Sequence, residues 1–175
     1  MFRIEDQHMD INASVDRVFS YVTDFARSGE WMNYWPFEFV ALSEGPVRIG
    51  YSYEWRGLIE PRGASIAKAL SPSYVRVQKV TVTEYVPDQR LVLETVAHTR
   101  EVTPMPLSSR DRSITSFDVE PTDGGTRLNM SVNIMSISKW MRPIWWLLWP
   151  LLFRPITKRA MMGNLRRLRE RVESR

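Results

Sequence analysis

The chain has 175 residues, 43% apolar and 25% charged, which is the size and balance of one globular domain able to bury its own core. With no cysteine, disulfides and thiol catalysis are excluded, and two isolated histidines, His8 and His98, argue against a zinc site. The net charge of +4 is uneven: residues 139–175 carry +8 and residues 1–138 carry −4, a basic patch of the kind that meets an anionic surface.

No charged segment precedes an apolar stretch at the N-terminus, so the expectation is a cytoplasmic protein without a signal peptide. Phe2 to Ile11 reads as a first strand. Ser14 offers an N-cap, and Val15, Val18, Phe19, Val22 and Phe25 follow at helical spacing, which predicts a helix ending near Arg27-Ser28-Gly29. A second short helix or turn carries Trp31, Met32, Tyr34 and Trp35 until Pro36 stops it. Phe37 to Leu42 is the next strand and Glu44-Gly45-Pro46 a turn. Tyr51 to Leu58 alternates, with Tyr51, Tyr53 and Trp55 on one face and Ser52, Glu54 and Arg56 on the other.

Ile59 to Tyr74, with Pro61, Gly63 and Pro72, breaks the strand pattern and is expected to form a flap. Val75 to Val86 is a long β-branched run ended by Pro87-Asp88, and Leu91 to Arg100 is its hairpin partner. Thr103 to Ser109, with two prolines, reads as a loop. Arg112 to Glu120 and Thr126 to Ile137 form a last hairpin around Thr122-Asp123-Gly124-Gly125. From Ser138 the chain runs through a tryptophan-dense apolar segment into a basic helix. There Met161, Leu165, Leu168 and Val172 make one apolar stripe, with Arg166, Arg167, Arg169 and Arg171 pointing elsewhere. One strand, two helices, six strands and a long helix describe an antiparallel α+β fold with its helices on one side.

Several segments carry a resemblance to a known family. They are Ile11 to Asp24 followed by Trp31, Val82-Thr83-Glu84-Tyr85-Val86-Pro87 with Arg90-Leu91, Gly124-Gly125-Thr126-Arg127-Leu128, and Leu165 to Glu173. In this order and over nearly the whole chain, 1–175, they resemble the SRPBCC superfamily (START-like or Bet v 1-like), in its polyketide cyclase/dehydrase and lipid-transport branch. The resemblance implies a single helix-grip domain: a curved antiparallel sheet of about seven strands wrapped on a long C-terminal helix, with two short helices after the first strand. It also implies an apolar cavity between sheet and helix. The family includes carriers and enzymes, so fold does not decide activity.

For the cavity wall the strand phases nominate Tyr53, Trp55, Val82 and Leu93, then Phe117 and Met130, with Trp31 and Trp35 from the helical region. Such a wall suits a sterol, polyketide, acyl or isoprenoid ligand, with no cofactor and no metal. Large apolar residues also simply fill cores, and a slip of one residue would turn the strand members of this set outward. For chemistry, Glu94, His98, Arg112, Asp118 and Tyr53 are the polar candidates. An aromatase/cyclase or dehydratase would use His98 as its base, with Tyr or Arg nearby to stabilise an enolate. Glu94, His98 and Arg100 share one strand phase. No nucleophile elbow, phosphate loop or metal-ligand spacing is present.

Pro143 to Phe153 is an uncharged run between Arg142 and Arg154, too short for the roughly 20 apolar residues of a membrane span. Trp140, Trp145, Trp146 and Trp149, with basic flanks, suit peripheral contact with lipid headgroups. Packing on the sheet rim or a homodimer interface is the other reading of the same residues. The helix arginines are spread around the axis and interrupted by Glu170 and Glu173, which argues against nucleic acid. The favoured function is binding or transfer of a hydrophobic small molecule or lipid.

Overall fold

The structure, a computed structural model, describes residues 2–32, 38–59, 74–101, 108–136 and 154–174. Strand β1 (Phe2–Ile11) leads into helix α1 (Val15–Thr23) and a 3-10 helix (Phe25–Glu30). The strands β2 (Glu38–Ala41), β3 (Ser52–Ile59), β4 (Tyr74–Val86), β5 (Arg90–Glu101), β6 (Ser108–Thr122) and β7 (Gly125–Ser136) follow, and helix α2 (Arg154–Glu173) comes last. They form one seven-stranded antiparallel sheet in the order β1-β7-β6-β5-β4-β3-β2. This is the antiparallel α+β arrangement that the sequence pattern predicts and the helix-grip form that the resemblance implies.

Alternation along the strands sets the core. Tyr53, Val80, Val82, Leu91, Leu93, Phe117, Val119, Leu128 and Met130 are all buried on the helix side of the sheet. In α2 the stripe Met161, Leu165, Leu168 and Val172 is buried as its spacing requires. Burying each of these side chains stabilises the fold by roughly 1.5–3 kcal/mol before ordering costs. The C-terminal end of α2 is tied to the start of the chain. The Asn12 backbone N–H donates to Glu173 Oε1 at 2.9 Å, and Arg17 Nη2 donates to the Val172 carbonyl at 2.5 Å.

The hairpin between β6 and β7 closes at Thr122↔Gly125. Gly125 has φ +143, and a Cβ there would run into the Ile11 carbonyl oxygen, so only glycine lets β7 start against the end of β1. Thr126 Oγ1 completes that junction by donating to the Ala13 carbonyl at 2.7 Å.

Three boundaries differ from the sequence reading. Helix α1 stops at Thr23, where Asp24 leaves helical geometry and the chain tightens into the 3-10 helix. Of the second short helix or turn expected to carry Trp31, Met32, Tyr34 and Trp35, Trp31 is in a turn directly after the 3-10 helix, and residues 33–37 lie outside the described residues. Ser108 and Ser109, expected in a loop, already pair with Arg100 and Thr99, because the β5 ladder continues to the end of that strand. The flap expected at Ile59 to Tyr74 gives Ile59 to β3 and Tyr74 to β4, paired with each other, and residues 60–73 lie outside the described residues.

Candidate functional site

Between the sheet and α2 lies a pocket of about 400 Å³, room for on the order of a dozen waters if hydrated. Its walls come from the helix-facing phases of β3 to β7, from Gly29 and Met32 after α1, and from Asn164 of α2. Asn164 sits in the otherwise apolar stripe of the helix and is itself 2% exposed.

One end of the pocket is aliphatic and aromatic, lined by Leu93, Phe117, Met130 and Val132, and Tyr53 lies toward the other end in the row of Val80, Thr95 and Ser113. Tyr53 stacks on Phe25 at 4.6 Å between ring centroids and meets Trp55 edge-on at 6.2 Å. Phe39 packs against both from the edge strand β2. These ring pairs hold the wall in one geometry and add about 0.5–1.5 kcal/mol each beyond area burial. Burial holds the Tyr53 phenol well above its usual range, partly opposed by a hydrogen bond with Trp55. A neutral hydroxyl is therefore what the pocket contains at this position.

The other end is polar. Arg76, Gln78, Thr95, Asp111 and Ser113 also face the pocket. The register explains their grouping. Gln78 pairs with Ala97 and Ala97 with Asp111 in one row, while Val80, Thr95 and Ser113 form the next. Asp111 is half-buried, and burial pushes its carboxyl above the ordinary value while the Arg76 charge pulls it back. Arg76 Nη1 donates to Thr99 Oγ1 at 3.3 Å. A guanidinium and a carboxylate thus both line the pocket, together with the polar side chains of Gln78, Thr95 and Ser113.

The structure distributes the sequence candidates unevenly. Tyr53, Trp55, Leu93, Phe117 and Met130 line the pocket together. Trp31 is fully buried but stands behind the wall, edge-on to Phe117 at 6.2 Å, and its indole N–H has no acceptor among the described residues. Val82 is 1% exposed in the packed core and does not reach the pocket. Trp35 lies outside the described residues, as do Trp140, Trp145, Trp146 and Trp149.

His98 requires a correction. It is exposed and sits on the face of β5 opposite to Leu93, Thr95 and Ala97, so it cannot reach a guest in the pocket. Glu94 shares that outer phase and pairs with Arg112 at 2.5 Å, and Asp118 pairs with Arg90 at 2.6 Å. Of the polar candidates, only Tyr53 faces the pocket. The residues missed were Arg76, Gln78 and Asp111. A signal for them existed: steps of two back from Val82 reach Gln78 and Arg76, and steps of two back from Phe117 reach Asp111.

Among the described residues no cluster of His, Asp or Glu is placed to hold a metal ion, and no helix is long and apolar enough to cross a membrane. The model of the family described as polyketide cyclase/dehydrase and lipid transport matches residues 1–173. The chain belongs to that family. No curated protein matches it. Among solved structures, a conserved protein from Geobacillus kaustophilus is similar with a TM-score of 0.62 at 15% identity, over 97% of this chain and 94% of that one. A Staphylococcus aureus protein of unknown function gives 0.62 at 11% identity, over 99% and 95%. A Chromobacterium violaceum protein gives 0.59 at 17% identity, over 97% and 96%. Identities this low show the shared helix-grip fold and no more, so the site of this family member has to be argued from its own residues.

Proposed function

We propose that this family member binds, and hands on, a hydrophobic small molecule or lipid held in the pocket between sheet and helix. The observation that supports the reading is the roughly 400 Å³ space walled by Tyr53, Trp55, Leu93, Phe117 and Met130, a size and lining typical of small-molecule sites. Transfer of a guest's hydrocarbon from water onto such a wall yields about 0.8 kcal/mol per CH₂ group, less the freedom the guest loses. Native mass spectrometry of the purified protein tests it. A bound apolar mass is expected, and a protein that shows none and takes up no added apolar probe would end the reading.

Chemistry on the guest is the second reading, a cyclase or dehydratase working in the same space. It is favoured by one observation: Asp111 faces the pocket, and burial raises its carboxyl above the ordinary value, which favours the protonated form that a general acid needs. On this reading Asp111 takes the place first given to His98. Asp111→Asn would then abolish turnover while guest binding persists.

Exchange of the guest at a membrane surface is supported by the exposed Lys158, Arg159, Arg166, Arg169 and Arg171 of α2. Flotation with anionic and neutral vesicles tests it. Binding that favours anionic vesicles and weakens with salt is expected, and equal absence from both would refute it.

A further inference from the structure

Resting on the reading that the pocket holds an apolar guest, we propose that this guest carries an uncharged oxygen head, a hydroxyl or carbonyl, seated between Arg76 and Asp111. Asp111 and Phe117 both line the pocket and are six residues apart on one strand, about 20 Å at the rise of an antiparallel strand, so a guest can lie with its head at Asp111 and its tail toward Phe117.

Polarity then sets the head. A purely hydrocarbon guest would lie against a guanidinium, a carboxylate and an amide without offering them any polar partner. An anionic head would be attracted by Arg76 and repelled by Asp111, and a cationic head the reverse. A hydroxyl satisfies both, because it donates to the Asp111 carboxylate and accepts from the Arg76 guanidinium. A carbonyl oxygen accepts from Arg76 and from the Gln78 amide. The tail would point to Leu93, Phe117 and Met130, where the pocket offers no polar partner of comparable strength.

Three ten-carbon probes of the same chain test the proposal: 1-decanol, decanoate and decyltrimethylammonium, titrated at pH 8 and followed by tryptophan fluorescence. The expected result is that decanol binds at least tenfold more tightly than either ion. Asp111→Asn should then raise decanoate affinity relative to decanol at least fivefold, and Arg76→Gln should do the same for decyltrimethylammonium. If all three probes bind equally, the pocket holds apolar guests and the head proposal fails. If an ion binds best to the unaltered protein, the head is charged and the proposal also fails. If none binds, the proposal falls together with the reading beneath it. The comparison of probes on the unaltered protein needs no variant to fold, and the opposite swings of the two variants are not what a general loss of structure produces.

Discussion

Ala97 is the position at which the pocket can be closed without touching its wall aromatics. It is 3% exposed, faces the pocket, and stands between Gln78 and Asp111 in the same row. A tryptophan there would place an indole in open space and take up roughly a third of the 400 Å³. A ten-carbon guest would then lose burial of about three CH₂ groups, worth ~0.8 kcal/mol each, or about 2.4 kcal/mol in total. That is a loss of about 60-fold in affinity. Folding should be kept, because overpacking penalties arise where a core is already full. Val96→Trp is the control, since its side chain is on the opposite face of β5. Decanol titration gives the affinities and thermal unfolding the fold. If Ala97→Trp unfolds normally yet binds within threefold of the unaltered protein, the guest does not occupy this pocket and the assignment is wrong.

Leu165→Ala, at a fully buried position in the α2 stripe, should cost about 2–5 kcal/mol in urea unfolding, and a loss under 1 kcal/mol would mean that the helix does not grip the sheet as described. Gly125→Ala should cost roughly 2 kcal/mol or more, because its φ of +143 and the Ile11 carbonyl leave no room for a Cβ; an unchanged unfolding midpoint would refute this. His98→Ala should leave decanol affinity unchanged, since the imidazole is on the far face, and a tenfold loss would overturn the strand phase assigned to β5. Asp111 binds its proton more tightly folded than unfolded, so its contribution to stability is present at low pH and is lost as pH rises through the raised value. Asp111→Asn should therefore raise the melting temperature at pH 7 relative to the unaltered protein and lose that advantage at pH 3. A constant difference across that range would contradict the burial of the carboxyl.

Period-two and period-four patterns made most of the fold readable. Tyr53 and Trp55 fall on the helix side and Glu54 pairs with Arg56 on the other, as their alternation requires. The α2 stripe is buried at the positions its spacing names. What was less legible follows from how those patterns fail at sites. His98 stands out in the sequence because imidazole is a common general base, but its chemistry says nothing about which way a strand side chain points. Asp111 and Arg76 drew none because a charged residue in a strand normally marks the solvent side, and only the phase counted from Phe117 and Val82 reverses that expectation. Val82 and Trp31 show the complementary failure: burial is legible from apolarity, whereas the difference between a wall and the packing behind it depends on where α2 ends its cover.

That last dependence connects the fold to the site. Along β4 the helix-facing series read toward the strand start is Val82, Val80, Gln78, Arg76, and along β6 it is Phe117, Thr115, Ser113, Asp111. Both strands pass from apolar to polar within three steps and in the same direction. A chain selected only to pack a core would gain by continuing the apolar series, because a buried polar group left without partners costs about 1–3 kcal/mol. The stripe of α2 is apolar on both sides of Asn164, which is the helix residue presented to the pocket. With no guest, water satisfies the polar end at little cost, whereas water over Leu93, Phe117 and Met130 finds few partners. The free energy available to a guest is therefore concentrated at the apolar end, and its selectivity at the charged one.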